Sequence, residues 1–123
     1  MAAITALFQT LKQGDHVIIG RNVYGGTYRM AVDVLSKHGF EFEFVDTRFI
    51  EKIENALRPN TKWIFVETPT NPLLELCDIT LIAKLCKKLI EKTHYKKVII
   101  WCGMINLCNS LSKIWKKVFS DYF

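Results

Sequence analysis

The sequence predicts an α/β fold in three layers, with a mostly parallel sheet between two layers of helices. Three observations lead there. Short apolar runs alternate with segments of helical spacing, in the order α-β-α-β-α-β-α-β. Glycine, proline or polar clusters bound each run. The chain has 123 residues, 50% of them hydrophobic, enough for one core and too few for a two-domain enzyme. Strands that alternate with helices call for right-handed crossovers, which cover both faces of a parallel sheet.

Each element follows from its pattern. Ile4, Leu7, Phe8 and Leu11 recur at helical spacing, so 2–12 reads as an amphipathic helix ending near Gly14. His16 to Ile19 is a short strand between Gly14 and Gly20. Residues 21–27 read as a loop around the Gly25-Gly26 pair. Met30, Val34 and Leu35 place a helix over about 27–38, stopped by Gly39. Phe40 to Val45 alternates aromatic and acidic residues, as a half-buried strand does. Ile50, Ile53 and Leu57 mark a short helix ended by Pro59. Trp63 to Val66 is a third strand. Ile79, Ile82, Ala83, Cys86, Leu89 and Ile90 mark a helix with lysines on its other face, and Val98 to Trp101 a fourth strand.

Composition excludes several classes. The net charge is +5, but the lysines fall in two clusters, 84–97 and 113–117, without aromatic interleaving. They read as solvated helix faces, and no nucleic-acid partner is expected. No run reaches the length of a membrane span, so no membrane partner is expected. The start "MAAITALFQTLKQGD" lacks the basic head and small-residue cleavage site of a signal peptide, which predicts a cytoplasmic chain. Cys77, Cys86, Cys102 and Cys108 show no metal-ligand spacing, so neither zinc nor a disulfide framework is expected. Ser110-Leu111-Ser112-Lys113 matches the S-x-x-K pattern of penicillin-recognising enzymes, but no S-D-N or K-T-G follows, and Lys113 reads as a solvated helix residue.

Parallel sheets take ligands beyond the carboxyl ends of their strands. Two unusual loops belong there: "RNVYGGTYR" after the first strand and "ETPTNP" after the third. Gly25 and Gly26 permit a close backbone approach. Pro69 and Pro72 stiffen the second loop and push Thr68 and Asn71 towards extended conformations. The residues alone therefore give a site lined by Tyr24, Thr27, Arg29, Glu67 and Asn71, while a flexible turn and a rigid loop without a ligand stay open as the plainer alternatives.

At these loops the sequence resembles the Cys/Met-metabolism family of pyridoxal-phosphate enzymes, which includes cystathionine γ-synthase, cystathionine γ-lyase and methionine γ-lyase. The matching stretches are "MAAITALFQTLKQGDHVI" at 1–18, "VYGGTYR" at 23–29, "FEFVD" at 42–46 and "WIFVETPTNP" at 63–72, and the resemblance covers roughly 1–88. It implies part of the large domain of a fold-type I enzyme over 1–101, with a divergent helical tail over 102–123. It implies pyridoxal 5'-phosphate as cofactor, C–S chemistry on sulfur amino acids, and a homo-oligomer or a full-length homologue as partner. It also implies that Tyr24 stacks on the cofactor ring, that Asn71 contacts its phenolic-oxygen side, that the helix start at Met1 belongs to the phosphate loop, and that Arg29 and Glu67 line the substrate site.

Three departures shape the expected activity. The family's phosphate loop reads Ser-Gly-Met-Ala-Ala, and this chain begins at that Met. The family's fourth strand leads into Val-Asp-Asn-Thr, where this chain reads "VIIWCGMIN" without the acid. The family's cofactor-bearing lysine lies in Ser-Ala-Thr-Lys, well beyond the place of Lys113. The expectation is a trans-sulfuration fragment that is inactive alone, with weak or absent cofactor binding; the alternative is a non-catalytic module that docks onto a full-length homologue. A sheet cut after four strands also predicts poor or dimer-dependent solubility. Beyond about residue 89 a shifted reading frame is expected. Leu107 to Ser112, read one base later with suitable synonymous codons, gives the family's Phe-Ala-Thr-Pro-Tyr. Met104-Ile105 force a stop in that same frame, so more than one lesion is required.

Overall fold

The computed structural model describes residues 1–93. Its elements are α1 (Ala2–Phe8), β1 (His16–Gly20), α2 (Gly25–Arg29), β2 (Glu41–Val45), α3 (Ile50–Asn55), β3 (Thr61–Phe65) and α4 (Ile79–Thr93). The expected strand at 98–101, the tail at 102–123 and Lys113 lie outside the described residues.

The three strands form a parallel sheet in the order β2-β1-β3. The chain moves one way from β1 to β2, then back across β1 to β3. Right-handed crossovers in opposite directions put their helices on opposite faces, and two separate cores result. Val17, Ile19, Trp63 and Phe65 face α1 with its Ile4 and Phe8, together with Ala31. Ile18, Ile64 and Val66 face Ile53 of α3 and Ile82, Ala83 and Cys86 of α4. The period-two alternation of each strand sorts its residues between the two layers. A register irregularity between His16 and Val17 sets Trp63 opposite Val17, so the large aromatics of β3 fall on the α1 side.

Phe8 anchors α1 to this sheet. It is buried, with ring centroids 5.9 Å from Phe42, 5.5 Å from Trp63 and 6.1 Å from Phe65. The helix is shorter than its 2–12 periodicity predicts. The Thr10 and Leu11 amides donate three residues back, to Leu7 and Phe8, which tightens the last turn. Leu11 still packs into the core. Gly14 then adopts φ +84, and the Lys12 amide donates to Asp15 Oδ2 at 2.8 Å.

The segment after β1 departs further from expectation. The helix begins at Gly25, so the glycine pair forms its first turn and not a loop. Tyr24 is the N-cap residue, and its carbonyl accepts from the Thr27 and Tyr28 amides. The segment then continues as a π-helical turn over Met30–Val34 and a 3-10 turn over Leu35–His38, and Gly39 closes it at φ +80.

At the amino end of the sheet His16 is fully buried. Thr61 Oγ1 accepts from the Arg58 amide at 2.8 Å, so its hydroxyl proton is available to His16 Nδ1, also at 2.8 Å. Burial foremost, and then the charge of Arg58, hold the imidazole below its ordinary pKa, against the opposing pull of Glu43 and Glu41.

Candidate functional site

Parallel pairing places the ends of β1, β2 and β3 side by side, and the loops that leave them enclose a crevice. Gly20, Asn22, Asp46, Glu67, Thr70 and Glu75 are among its walls. It lies at the switch point where the chain reverses direction across the sheet, the usual ligand position in such folds.

The two loops singled out in the sequence meet here. Glu67 Oε2 accepts the Tyr24 amide at 2.9 Å, across 43 positions of chain. This bond has a local cause. An N-cap residue ordinarily supplies a side-chain oxygen to the helix, which tyrosine cannot do, and α2 has no side-chain cap of its own. A glutamate from the neighbouring strand end instead accepts the N-cap residue's own amide, the bond that an N3 side chain makes in a capping box. Tyr24 is thereby fixed at its backbone while its ring stays 54% exposed.

Gly26 sets where that ring lies. A Cβ there would fall 2.5 Å from Tyr24 Cε1 and 2.9 Å from Met1 Sδ. The ring and the start of α1 therefore crowd one point, and only glycine leaves the space. The first helical bond of α1 runs from the Thr5 amide to the Met1 carbonyl, so the amides ahead of Thr5 have no intrahelical acceptor.

The other expected residues separate. Arg29 is exposed, and a Cβ on Gly25 would meet its Nη1 at 3.4 Å, so the guanidinium lies back over the first turn of α2. Asn71 is exposed on the second loop. Thr27 does not line the site: it is fully buried, and its Oγ1 has no hydrogen-bond partner. It is the third residue of α2, on the turn that faces the core, which the loop assignment of 21–27 concealed.

The second loop closes on itself. The Thr70 amide donates to the Glu75 carbonyl at 3.1 Å, the Glu75 amide to Thr70 Oγ1 at 3.0 Å, and the Leu74 amide to the Thr70 carbonyl at 2.8 Å. Leu74 is held at φ 52, an unusual conformation for a branched residue that such closure can maintain. Both proline bonds, Thr68–Pro69 and Asn71–Pro72, are cis.

A charged cluster joins the loops, and the motif reading missed it. Arg48 Nη2 and Nε reach the two oxygens of Asp46 at 2.8 and 2.9 Å, and Arg21 Nη2 lies 3.1 Å from Asp46 Oδ2. Glu75 receives Asn22 Nδ2 at 2.6 Å, Arg48 Nη1 at 3.2 Å and Arg21 Nη2 at 3.4 Å. The hydrogen bond from Arg48, helped by the charge of Arg21, holds Asp46 down at about 2 although burial opposes it. An acid at the end of a strand, as in "FEFVD", was a usable signal for Asp46. Nothing in the pattern pointed to Glu75.

Among the described residues, no cluster of three or more His, Cys, Asp or Glu could hold a metal ion, and no helix is long and apolar enough to cross a membrane. Cys77 and Cys86 are free thiols, and burial pushes Cys86 up to about 12.

Comparison with known proteins agrees with this layout. The profile of the family described as Cys/Met metabolism PLP-dependent enzyme matches residues 1–99, beyond the roughly 1–88 over which the resemblance was read in the sequence. A cystathionine gamma-lyase of Bacillus subtilis is 54% identical over 88 residues, covering 72% of this chain and 23% of that protein. The crystal structure of a cystathionine gamma-lyase from Lactobacillus plantarum complexed with L-serine superposes with a TM-score of 0.73 at 46% identity, covering 80% of this chain and 25% of that one. The crystal structure of metB from Corynebacterium glutamicum gives 0.72 at 44% identity, covering 81% and 25%. The chain spans about a quarter of the length of the relatives it matches.

Proposed function

The chain belongs to the Cys/Met metabolism PLP-dependent enzyme family, and from that premise we propose that it is the ring-stacking part of an enzyme that cleaves or forms C–S bonds in sulfur amino acids, without turnover of its own. The bond from the Tyr24 amide to Glu67 carries the reading, because it brings the two signature loops to one end of the sheet.

The residues fit a flat, anionic cofactor. Tyr24 offers an exposed aromatic face, Gly26 leaves the space that lets this face sit against Met1, and the amides at the start of α1 have no intrahelical acceptor. When bound, pyridoxal 5'-phosphate supplies an electron sink. Tyr24 would stack on its ring, Met1 and the following amides would hold its phosphate, and Asn71 would contact its phenolic-oxygen side. Arg29 and Glu67 line the substrate side, with Glu67 also holding Tyr24 in place. Where the family reads Val-Asp-Asn-Thr the sequence has "VIIWCGMIN", without the acid of the ring-nitrogen contact, so binding is weak.

Titration of the full chain with pyridoxal 5'-phosphate, followed by circular dichroism in the cofactor band, tests this. An induced signal that Tyr24→Ala weakens by roughly tenfold, the scale of one aromatic stacking contact, is expected. No induced signal, or an unchanged one in the variant, overturns the reading. Borohydride reduction of the mixture should label lysines diffusely, and one stoichiometrically labelled lysine would contradict the absence of turnover.

A second reading is docking onto a full-length homologue. Leu73, Leu74 and Leu76, exposed at 62%, 70% and 66% beside the site, favour it. Co-purification with such a homologue, lost on replacing the three leucines by serine, supports docking.

A further inference from the structure

We propose that Glu75, which none of the sequence motifs identified, is the positioning residue that couples Asn71 to Tyr24. This deepens the cofactor-site reading above and rests on it for its functional meaning. Glu75 acts through two different parts of itself. Its backbone exchanges two bonds with Thr70 and so closes the short loop that carries Asn71. Its carboxylate, only 16% exposed, takes Asn22 Nδ2 at 2.6 Å, 53 positions away and two residues before Tyr24. Glu67 then takes Tyr24 itself. The polypeptide from Asn22 to Tyr24 is held at both ends by carboxylates of one loop, so the two cofactor-facing side chains cannot shift independently.

The partners of Glu75 divide by strength. Arg21 and Arg48 are 46% and 38% exposed, lie 3.4 and 3.2 Å from Oε1, and share themselves with Asp46. Water and the second acid weaken both pairs. The Asn22 bond is short, part-buried, and made by a neutral donor to a charged acceptor, the combination in which a single hydrogen bond counts most. Asn22, not the arginines, is therefore the coupling contact.

Amide hydrogen exchange on the full chain decides this without cofactor. Glu75→Ala, which keeps both backbone bonds to Thr70, should raise exchange roughly tenfold, the scale of one charge-assisted bond, in segment 20–30, with strands β1 and β3 still protected. Glu75→Gln should restore protection over 20–30, because its amide oxygen still accepts from Asn22. Asn22→Ala, which leaves the Thr70–Glu75 closure intact, should loosen 20–30 alone. A Glu75→Ala effect confined to 66–76 would overturn the coupling, as would a Glu75→Gln variant as loose as Glu75→Ala. If Glu75→Ala does not fold, Asn22→Ala with protected 20–30 overturns it equally. Pyridoxal 5'-phosphate titration is the second readout: Asn22→Ala should weaken binding roughly tenfold while strands β1 and β3 keep their wild-type protection, a loss that a purely structural role would not produce. Wild-type chain that shows no binding would sink the cofactor reading while the exchange pattern still decides the coupling.

Discussion

Removing the Glu67 carboxylate should destabilise the whole chain, and glutamine at position 67 should repair part of the damage. The Tyr24 amide gives Glu67 a 2.9 Å bond at the amino end of α2. A bond to a charged group contributes roughly 1.5–3 kcal/mol when buried. Tyr24 is half exposed and Glu67 partly so, which puts this one near the lower limit, and the negative charge at a helix start adds roughly 0.3–1 kcal/mol. Glu67→Ala should therefore cost about 2 kcal/mol, or a fall of about 8–16 °C in melting temperature for a domain of this size. Glu67→Gln keeps a side-chain oxygen that accepts from the Tyr24 amide and loses only the charge, so it should recover about half of that cost. Urea unfolding of the full chain and the variants, followed by far-UV dichroism, measures all the terms. Glu67→Ala within about 0.3 kcal/mol of wild type, or Glu67→Gln as unstable as Glu67→Ala, would show that α2 is not held from the neighbouring strand.

Three other outcomes follow from the same geometry. Asp46 is held at about 2 against 3.8 unperturbed; a depressed acid contributes stability that is present above 3.8 and lost as pH falls towards 2. That difference corresponds to about 2 kcal/mol at most, reduced to about 1 by the exposure of both arginines, so the urea midpoints of wild type and Asp46→Asn should differ at neutral pH and converge by about pH 2; a gap independent of pH contradicts it. Phe8→Ala, which empties the contact with Phe42, Trp63 and Phe65, should cost about 3–5 kcal/mol and leave α1 undocked by hydrogen exchange; protection of α1 at the wild-type level would contradict this. Gly26→Ala should leave the melting temperature within about 4 °C, since alanine favours the helix by up to about 1 kcal/mol, yet change the ring environment of Tyr24, read from its NMR shifts; unchanged shifts refute the crowding at Gly26.

The fold was legible because its elements are short and sharply patterned. Val17, Ile18 and Ile19 form an unbroken apolar run, as a strand covered on both faces must, and Ile82, Ala83 and Cys86 repeat on one helical face. The errors fall where local preference and tertiary structure disagree. Tyrosine is a poor N-cap and paired glycines are poor helix formers, so 21–27 reads as a loop. The structure keeps 21–24 as a loop and makes 25–27 the start of α2, where Glu67 holds the Tyr24 amide and Gly26 makes room for the ring. Thr27 was misplaced for the same reason. Tyr24 and Glu67, joined at 2.9 Å, were legible through motif resemblance, whereas Glu75 was not, since a lone glutamate among leucines carries no pattern. Disagreement between local and global preference is concentrated at functional positions generally, and here it marks the first turn of α2.

The two ends of the sheet carry ionic clusters of similar composition with different consequences. At the amino end, Arg58 reaches Glu41 at 3.1 Å and Glu43 at 2.7 Å, both on β2. Those strand residues are already placed by ladder bonds to β1, so the ion pairs add charge along a strand that is at the edge among the described residues, where charge discourages pairing with other chains. Being about half exposed, they contribute little to stability. At the carboxyl end the ladder runs out: the Arg21 amide still donates to the Val45 carbonyl at 2.8 Å, and beyond it side chains join the loops. The acids that do so have to be long enough to cross from one loop to the next. Glu67 and Glu75 cross to the loop after β1, while Asp46, shorter, pairs within its own loop to Arg48 and relies on Arg21 to reach outward. A glutamate at 41 or 43 is thus replaceable by another acid that reaches Arg58, whereas those at 67 and 75 are fixed in length.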